Sequence, residues 1–157
     1  MDNAFLNTPL GIIEICGSEE GIRSVSFRGD QKIESERIPE TLVECHRQLR
    51  EYFEGQRREF SLLLDPQGTE FQKGVWKQLG RIRFGETSSY KEQSEKLGDL
   101  KAIRAVASAN GKNPIAVIIP CHRVIGSDGS LTGYAGGLWR KKWLLEHENP
   151  PSQTSLF

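Results

Sequence analysis

Cys121 and His122 stand side by side and are the residues of this chain best suited to covalent chemistry. A cysteine must become a thiolate before it attacks an electrophile, and a histidine held by a carboxylate can take its proton. The sequence has only two other histidines, His46 and His147, and Glu146 and Glu148 follow as possible orienting carboxylates. A Cys-His-Glu set is therefore available, although spacing alone does not show that it assembles. The competing assignment is a structural cysteine among apolar neighbours, a common fate of a free thiol. Cys16 and Cys45 bring the total to three with no CxxC spacing, so no disulfide framework is expected. Cys16, Cys45 and His46 lack zinc-ligand spacing and a fourth partner, so no metal is expected.

Charge is unevenly distributed along the chain. Residues 101–145 hold Lys101, Arg104, Lys112, Arg123, Arg140, Lys141 and Lys142 against Asp128 alone, a net +6. The whole chain is neutral, so the remainder carries −6. Either a polyanion-binding face or a solvated basic helix surface accounts for this asymmetry. The stretch 126–137 is rich in glycine but is no phosphate cradle, because no GxxxxGK opens a helix after it.

The elements that must position these groups follow from pattern. The 157 residues, 36% hydrophobic and 27% charged, suit one ordinary domain or two small ones. No apolar run approaches the roughly 18 residues of a membrane span and no signal peptide opens the chain, so a cytoplasmic protein without a membrane partner is expected. Ile12–Cys16 and Ile22–Phe27 read as a β-hairpin. Leu42, Cys45, Leu49 and Tyr52 share one face of a helix over 39–53, closed by Gly55. Phe60–Leu64 is a candidate strand, and Asp65-Pro66-Gln67-Gly68 the best domain boundary. Thr69 with Gln72 and Ser89 with Glu92 read as capping boxes. Helices over 89–97 and 101–110 resemble a helix-turn-helix. Ile115–Ile119 reads as a buried strand leading to Cys121, and Leu138–His147 as a last helix anchored in the core by Trp139 and Trp143. Pro150-Pro151 leaves a short tail.

The segment Ile119-Pro120-Cys121-His122-Arg123-Val124 resembles the active-site signature of the O6-alkylguanine-DNA alkyltransferases. Ser89-Tyr90, Arg104-Ala105-Val106, Asn113-Pro114, Tyr134-Ala135-Gly136-Gly137, Trp143-Leu144-Leu145 and His147-Glu148 fall at the family's spacings. The match is close over 66–149, and Thr8-Pro9-Leu10-Gly11 is similar to the opening of the family's smaller N-terminal domain. The resemblance implies an α+β chain. A small α/β, ribonuclease H-like domain would span 1–65 and a winged-helix-like domain with a helix-turn-helix 66–149, followed by a tail over 150–157.

It also implies roles. Cys121 would take the alkyl group from guanine O6 and keep it, with His122 as base through a water and Glu148 polarising the imidazole. Asn113 would hold the active-site loops, and Tyr90 would donate to guanine N3 so that a neutral purine leaves. Arg104 would fill the gap left by the flipped nucleotide, with Ala105, Lys101 and Arg123 on the DNA side. Tyr134, Ala135, Val124 and Gly137 would line the base pocket; Ala135 stands where many members carry a serine. The partner is double-stranded DNA containing O6-alkylguanine, with O4-alkylthymine as a further candidate substrate. No cofactor is implied, and a monomer is expected. A DNA lesion sensor without chemistry and a Cys-His hydrolase unrelated to DNA are the alternatives. In the tail, Gln153, Leu156 and Phe157 resemble the pentapeptide by which bacterial proteins dock on the sliding clamp.

Overall fold

The computed structural model describes residues 1–29 and 34–150. Three antiparallel strands open the chain, β1 (Asp2–Thr8), β2 (Gly11–Ser18) and β3 (Gly21–Phe27), in the order β1-β2-β3. Alternation buries Ala4 and Leu6 opposite Ile15 and Ile13, so one face of the sheet is apolar. Helix α1 (Val43–Phe53), entered through a 3-10 turn at Glu40–Leu42, buries Cys45, Leu49 and Tyr52. Gly55, at φ +79°, ends it in the left-handed conformation.

The sequence pattern missed β1, whose Asp and Asn residues are poor strand formers. It also placed a strand at Phe60–Leu64. There the backbone makes only a single bridge, with Ile22 N–H donating to Leu63 O and Asp65 N–H to Ile22 O.

The second half is helical. Thr69 caps α2 (Glu70–Leu79) with both hydrogen bonds of the capping box, and Trp76 Nε1 donates to Ala109 O at 2.9 Å, tying α2 to the helix that carries Ala109. Ser89 caps α3 (Tyr90–Lys96) through the Glu92 N–H alone; the reciprocal bond of the expected box is absent among the described residues. After a 3-10 turn at Leu100–Ala102 comes α4 (Ile103–Gly111), packed on α2 and α3 as the second helix of a helix-turn-helix. A parallel pair, β4 (Ser88–Ser89) with β5 (Val124–Ile125), and α5 (Leu138–Glu148) complete the fold. Among the described residues no helix is long and apolar enough to cross a membrane.

Ile115–Ile119 is a turn and not the expected strand. Pro114 and Pro120 bracket it, and local bonds (Ile119 N–H to Ile115 O, Ile118 N–H to Ala116 O) consume its backbone groups. Val117 sits at φ +71°, a position that costs a β-branched residue about 1–3 kcal/mol. The turn is stitched to the first sheet: Val25 N–H donates to Pro114 O, and Ala116 N–H to Val25 O. The last helix also departs from expectation. Trp139 is 56% exposed and no core anchor, whereas Trp143 packs between Phe53 and His147.

Candidate active site

Cys121 opens a 3-10 turn, Cys121–Arg123, just after the strained turn Ile115–Ile119, a hairpin closed by Pro114 and Pro120. Asn113 organises it. Its Nδ2 donates to Ile119 O at 2.7 Å and to Cys121 Sγ at 3.2 Å, while its Oδ1 accepts from Ile115 N–H at 2.9 Å. One amide side chain thus fixes both ends of the hairpin and points a donor at the sulfur. Burial pushes the Cys121 thiol above its ordinary value; the Asn113 hydrogen bond and the Lys141 charge oppose that effect without reversing it. The resting group is a thiol, and a base must take its proton.

His122 is fully buried beside it, with Nε2–H donating to Glu148 Oε2 at 2.8 Å. Its Nδ1 has no hydrogen-bond partner among the described residues. Burial lowers His122 below its ordinary value, against the pull of Glu148, so the imidazole is neutral near pH 7 and Nδ1 carries a free lone pair. Burial would raise the Glu148 carboxyl, but hydrogen bonds and charge from its neighbours bring it down to about 2. Because His122 is uncharged at neutral pH, the charge that holds Glu148 ionised is that of Arg123.

Arg123 is therefore not on the DNA side, where the sequence reading put it. It is only 6% exposed, donating from Nε to Glu148 Oε1 at 2.7 Å, from Nη2 to Oε2 at 3.0 Å and from Nη1 to Ile82 O at 2.6 Å. Its fork is used inside the protein. The same correction applies to part of the basic segment. Lys141 is buried, with Nζ donating to Thr132 O at 2.6 Å, and Arg140 donates to Leu10 O and Gly136 O while stacking on Phe27 and Trp139. Lys101, Arg104, Lys112 and Lys142 remain exposed.

A cavity of about 430 Å³ opens above Cys121, between Tyr90 of α3, Ala107, Asn110 and Gly111 at the end of α4, and Thr132–Ala135 of the glycine-rich loop. Of the expected pocket residues, Tyr134 and Ala135 line it. Val124 is buried in β5, paired with Ser88, and Gly137 caps α5; neither reaches the cavity, because the parallel strand pair and the start of the helix claim their backbones. Tyr90 OH lies 3.3 Å from Thr132 Oγ1 at the rim. Arg104 and Ala105 are exposed on α4, away from the core. Gln153, Leu156 and Phe157 lie outside the described residues.

The sequence reading missed three groups. Tyr52 OH donates to Glu148 Oε2 at 2.6 Å; its place on an apolar helix face gives no sign of this bond, although most buried phenols make one. Lys141 shares a helical stripe with Leu144 and Glu148, a spacing that marks it as inward-facing. Asn110 buries both polar atoms of its amide without a partner among the described residues, at the wall of the cavity. Nothing in the sequence distinguishes that asparagine from a helix-terminal one.

Comparison with known proteins bears on all of this. Residues 1–66 match the ribonuclease-like domain of 6-O-methylguanine DNA methyltransferase, and residues 70–150 match its DNA binding domain. The methylated-DNA–protein-cysteine methyltransferase of Methanosarcina acetivorans is 48% identical over 153 residues, covering 92% of this chain and 96% of the relative. That of Mycolicibacterium paratuberculosis is 42% identical over 159 residues, covering 97% and 96%. The crystal structure of Mycobacterium tuberculosis O6-methylguanine methyltransferase superposes with a TM-score of 0.83 at 41% identity, covering 99% of this chain and 98% of that one. The structure of M. tuberculosis OGT in complex with DNA gives the same TM-score and identity, covering 98% and 97%. With both of its halves matched and relatives above 40% identity along nearly its whole length, this chain belongs to the 6-O-methylguanine DNA methyltransferase family.

Proposed function

We propose that this protein reverses O6-alkylguanine damage in duplex DNA by transferring the alkyl group once, irreversibly, to Cys121. One observation carries the reading: a thiol aligned by Asn113, beside a neutral imidazole with a free Nδ1, lies under a cavity walled by the end of the second helix of a helix-turn-helix. The thiol proton passes through a water to His122 Nδ1, and Glu148 stabilises the imidazolium that results. The sulfur attacks the α-carbon of the O6 substituent; the C–S bond forms, the C–O6 bond breaks, and its electron pair stays on the purine. Tyr90 supplies a proton at N3, so guanine leaves neutral, and the proton held on His122 returns through water to the Tyr90 oxygen. The product is a thioether, which nothing in the site can cleave, and each molecule reacts once.

The base must leave the stack to reach this depth, at a cost of a few kcal/mol. Arg104, exposed on α4, is suited to fill the vacated space, with Lys101 and Ala105 against the backbone. For the tail we infer that Gln153, Leu156 and Phe157 dock on a bacterial sliding clamp, which places the protein in the cytoplasm. Deleting residues 153–157 should abolish clamp binding by calorimetry and leave alkyl transfer intact. The protein acts as a monomer with no cofactor.

The test of the main reading is intact mass after incubation with a duplex containing O6-methylguanine. A gain of about one methylene per protein, mapped to the Cys121 peptide and absent in Cys121→Ser, is expected. Several products per protein molecule, or a modified residue elsewhere, would refute it.

A further inference from the structure

We infer that Tyr52 of the N-terminal domain is a positioning residue of the transfer reaction, acting through Glu148 on the His122 base. This rests on the reading just given. Glu148 Oε2 accepts from Tyr52 OH at 2.6 Å, from His122 Nε2–H at 2.8 Å and from Arg123 Nη2 at 3.0 Å. Oε1 takes Arg123 Nε–H at 2.7 Å. A carboxylate oxygen offers about two lone-pair sites, so three donors compete for Oε2. The hydroxyl is the nearest of the three, and it is held there. Four rings surround the phenol, with centroids 5.0–6.2 Å away on Phe53, Phe60, Phe84 and His147, and His147 Nε2 lies 2.6 Å from the Tyr52 carbonyl oxygen.

Two consequences follow. Geometrically, Tyr52 and Arg123 approach the carboxylate from different elements and leave it one orientation, the one that aims the lone pair at His122 Nε2. Electrostatically, the hydroxyl draws electron density from the oxygen that polarises the imidazole, so it sets how basic Nδ1 is. Burial and the adjacent Glu148 charge push the phenol well above its ordinary value, so it stays protonated and donates throughout the working pH range. The N-terminal domain makes no contact with Cys121 through this residue, yet it adjusts the base that serves Cys121.

Among the described residues, the titratable and charged groups facing the relay are Arg123 from the 3-10 turn, Lys141 and His147 from α5, and Tyr134 from the glycine-rich loop, with Cys121 acting on Tyr134. Replacing the hydroxyl alone leaves all of them in place. Tyr52→Phe removes a competing donor, strengthens the Nε2–H to Oε2 bond and makes Nδ1 more basic. Under single-turnover conditions with duplex O6-methylguanine, the acid limb of the rate profile should move up by roughly half a pH unit. The saturating rate at its optimum should fall roughly fivefold from lost orientation, with the half-saturating DNA concentration unchanged. Fluorotyrosine inserted at position 52 alone donates more strongly and should shift the acid limb the opposite way. A structural role would lower thermal stability in Tyr52→Phe without moving the limb; that outcome, or shifts of the same sign in both variants, overturns the inference. Should Tyr52→Phe fail to fold, the near-isosteric fluorotyrosine protein decides alone, an unshifted limb counting against the role. Wild-type protein that transfers no methyl group to Cys121 would instead refute the underlying function.

Discussion

Replacing Arg123 by methionine separates the two roles its position suggests, a phosphate contact or an internal clamp. The substitution keeps the length of the stem and removes the charge. Glu148 then keeps Tyr52 and His122 as donors but loses its cation, and Ile82 O loses a donor at 2.6 Å. Removing one partner of a buried ion pair costs about 3–5 kcal/mol, because the other charge is stranded. For a chain of this length each kcal/mol lowers the melting midpoint by about 2–4 °C, so a fall on the order of 10 °C is expected. Urea denaturation at pH 7 gives the free energy directly. Glu148→Gln closes the cycle: the double variant should lose clearly less than the sum of the two singles, since it alone leaves no charge stranded. Duplex affinity of folded Arg123→Met, measured in the cold, should stay within about twofold of wild type. The reasoning fails if stability falls by less than about 1 kcal/mol while the salt dependence of DNA binding loses one phosphate contact.

Arg104→Ala should slow repair of duplex O6-methylguanine far more than reaction with free O6-benzylguanine, both followed by label incorporation at Cys121; equal losses would remove Arg104 from base extrusion. Acid should destabilise the protein in two stages. His122 is depressed below its ordinary 6.5 and Glu148 from 4.5 to about 2, so the unfolded chain takes up protons first. The stability these groups give is complete above pH 6.5 and declines below it, and the Glu148 share of about 3 kcal/mol is lost between pH 4.5 and about 2. Denaturant midpoints that stay flat from pH 7 to 4 would contradict this. Gly136→Ala would place a Cβ 2.8 Å from the Phe27 ring and 2.9 Å from that of Tyr134, and should destabilise by about 1–3 kcal/mol in the same assay.

What the sequence made legible was local. The Thr69 cap is a short-range pattern with a short-range cause, and it formed as read. Cys121, His122 and Asn113 came from a motif whose members lie within nine residues of one another, and the hairpin brings them together. Composition could not say which cations face water. Arg123 and Lys141 were counted towards a basic surface, but acceptors more than eight residues away, Glu148 and Thr132, draw them inside. Ile115–Ile119 is as apolar as any strand, yet the flanking prolines and the Asn113 side chain fold it on itself. Tyr52 meets Glu148 across 96 residues, and no pattern along the chain encodes that distance.

The raised pKa of Cys121 bears on how such a protein survives until it is needed. A molecule with one equivalent of nucleophile loses its use if peroxide or a stray electrophile reaches the sulfur first. Such reagents consume thiolate, and burial keeps the thiolate fraction here below that of an ordinary exposed cysteine. The proton leaves only when His122 can accept it, and a base seated in the cavity above the sulfur screens that step from bulk water. Slow reaction with adventitious oxidants is thus a shelf life, written into the same half-buried position that makes the thiol wait for its partner.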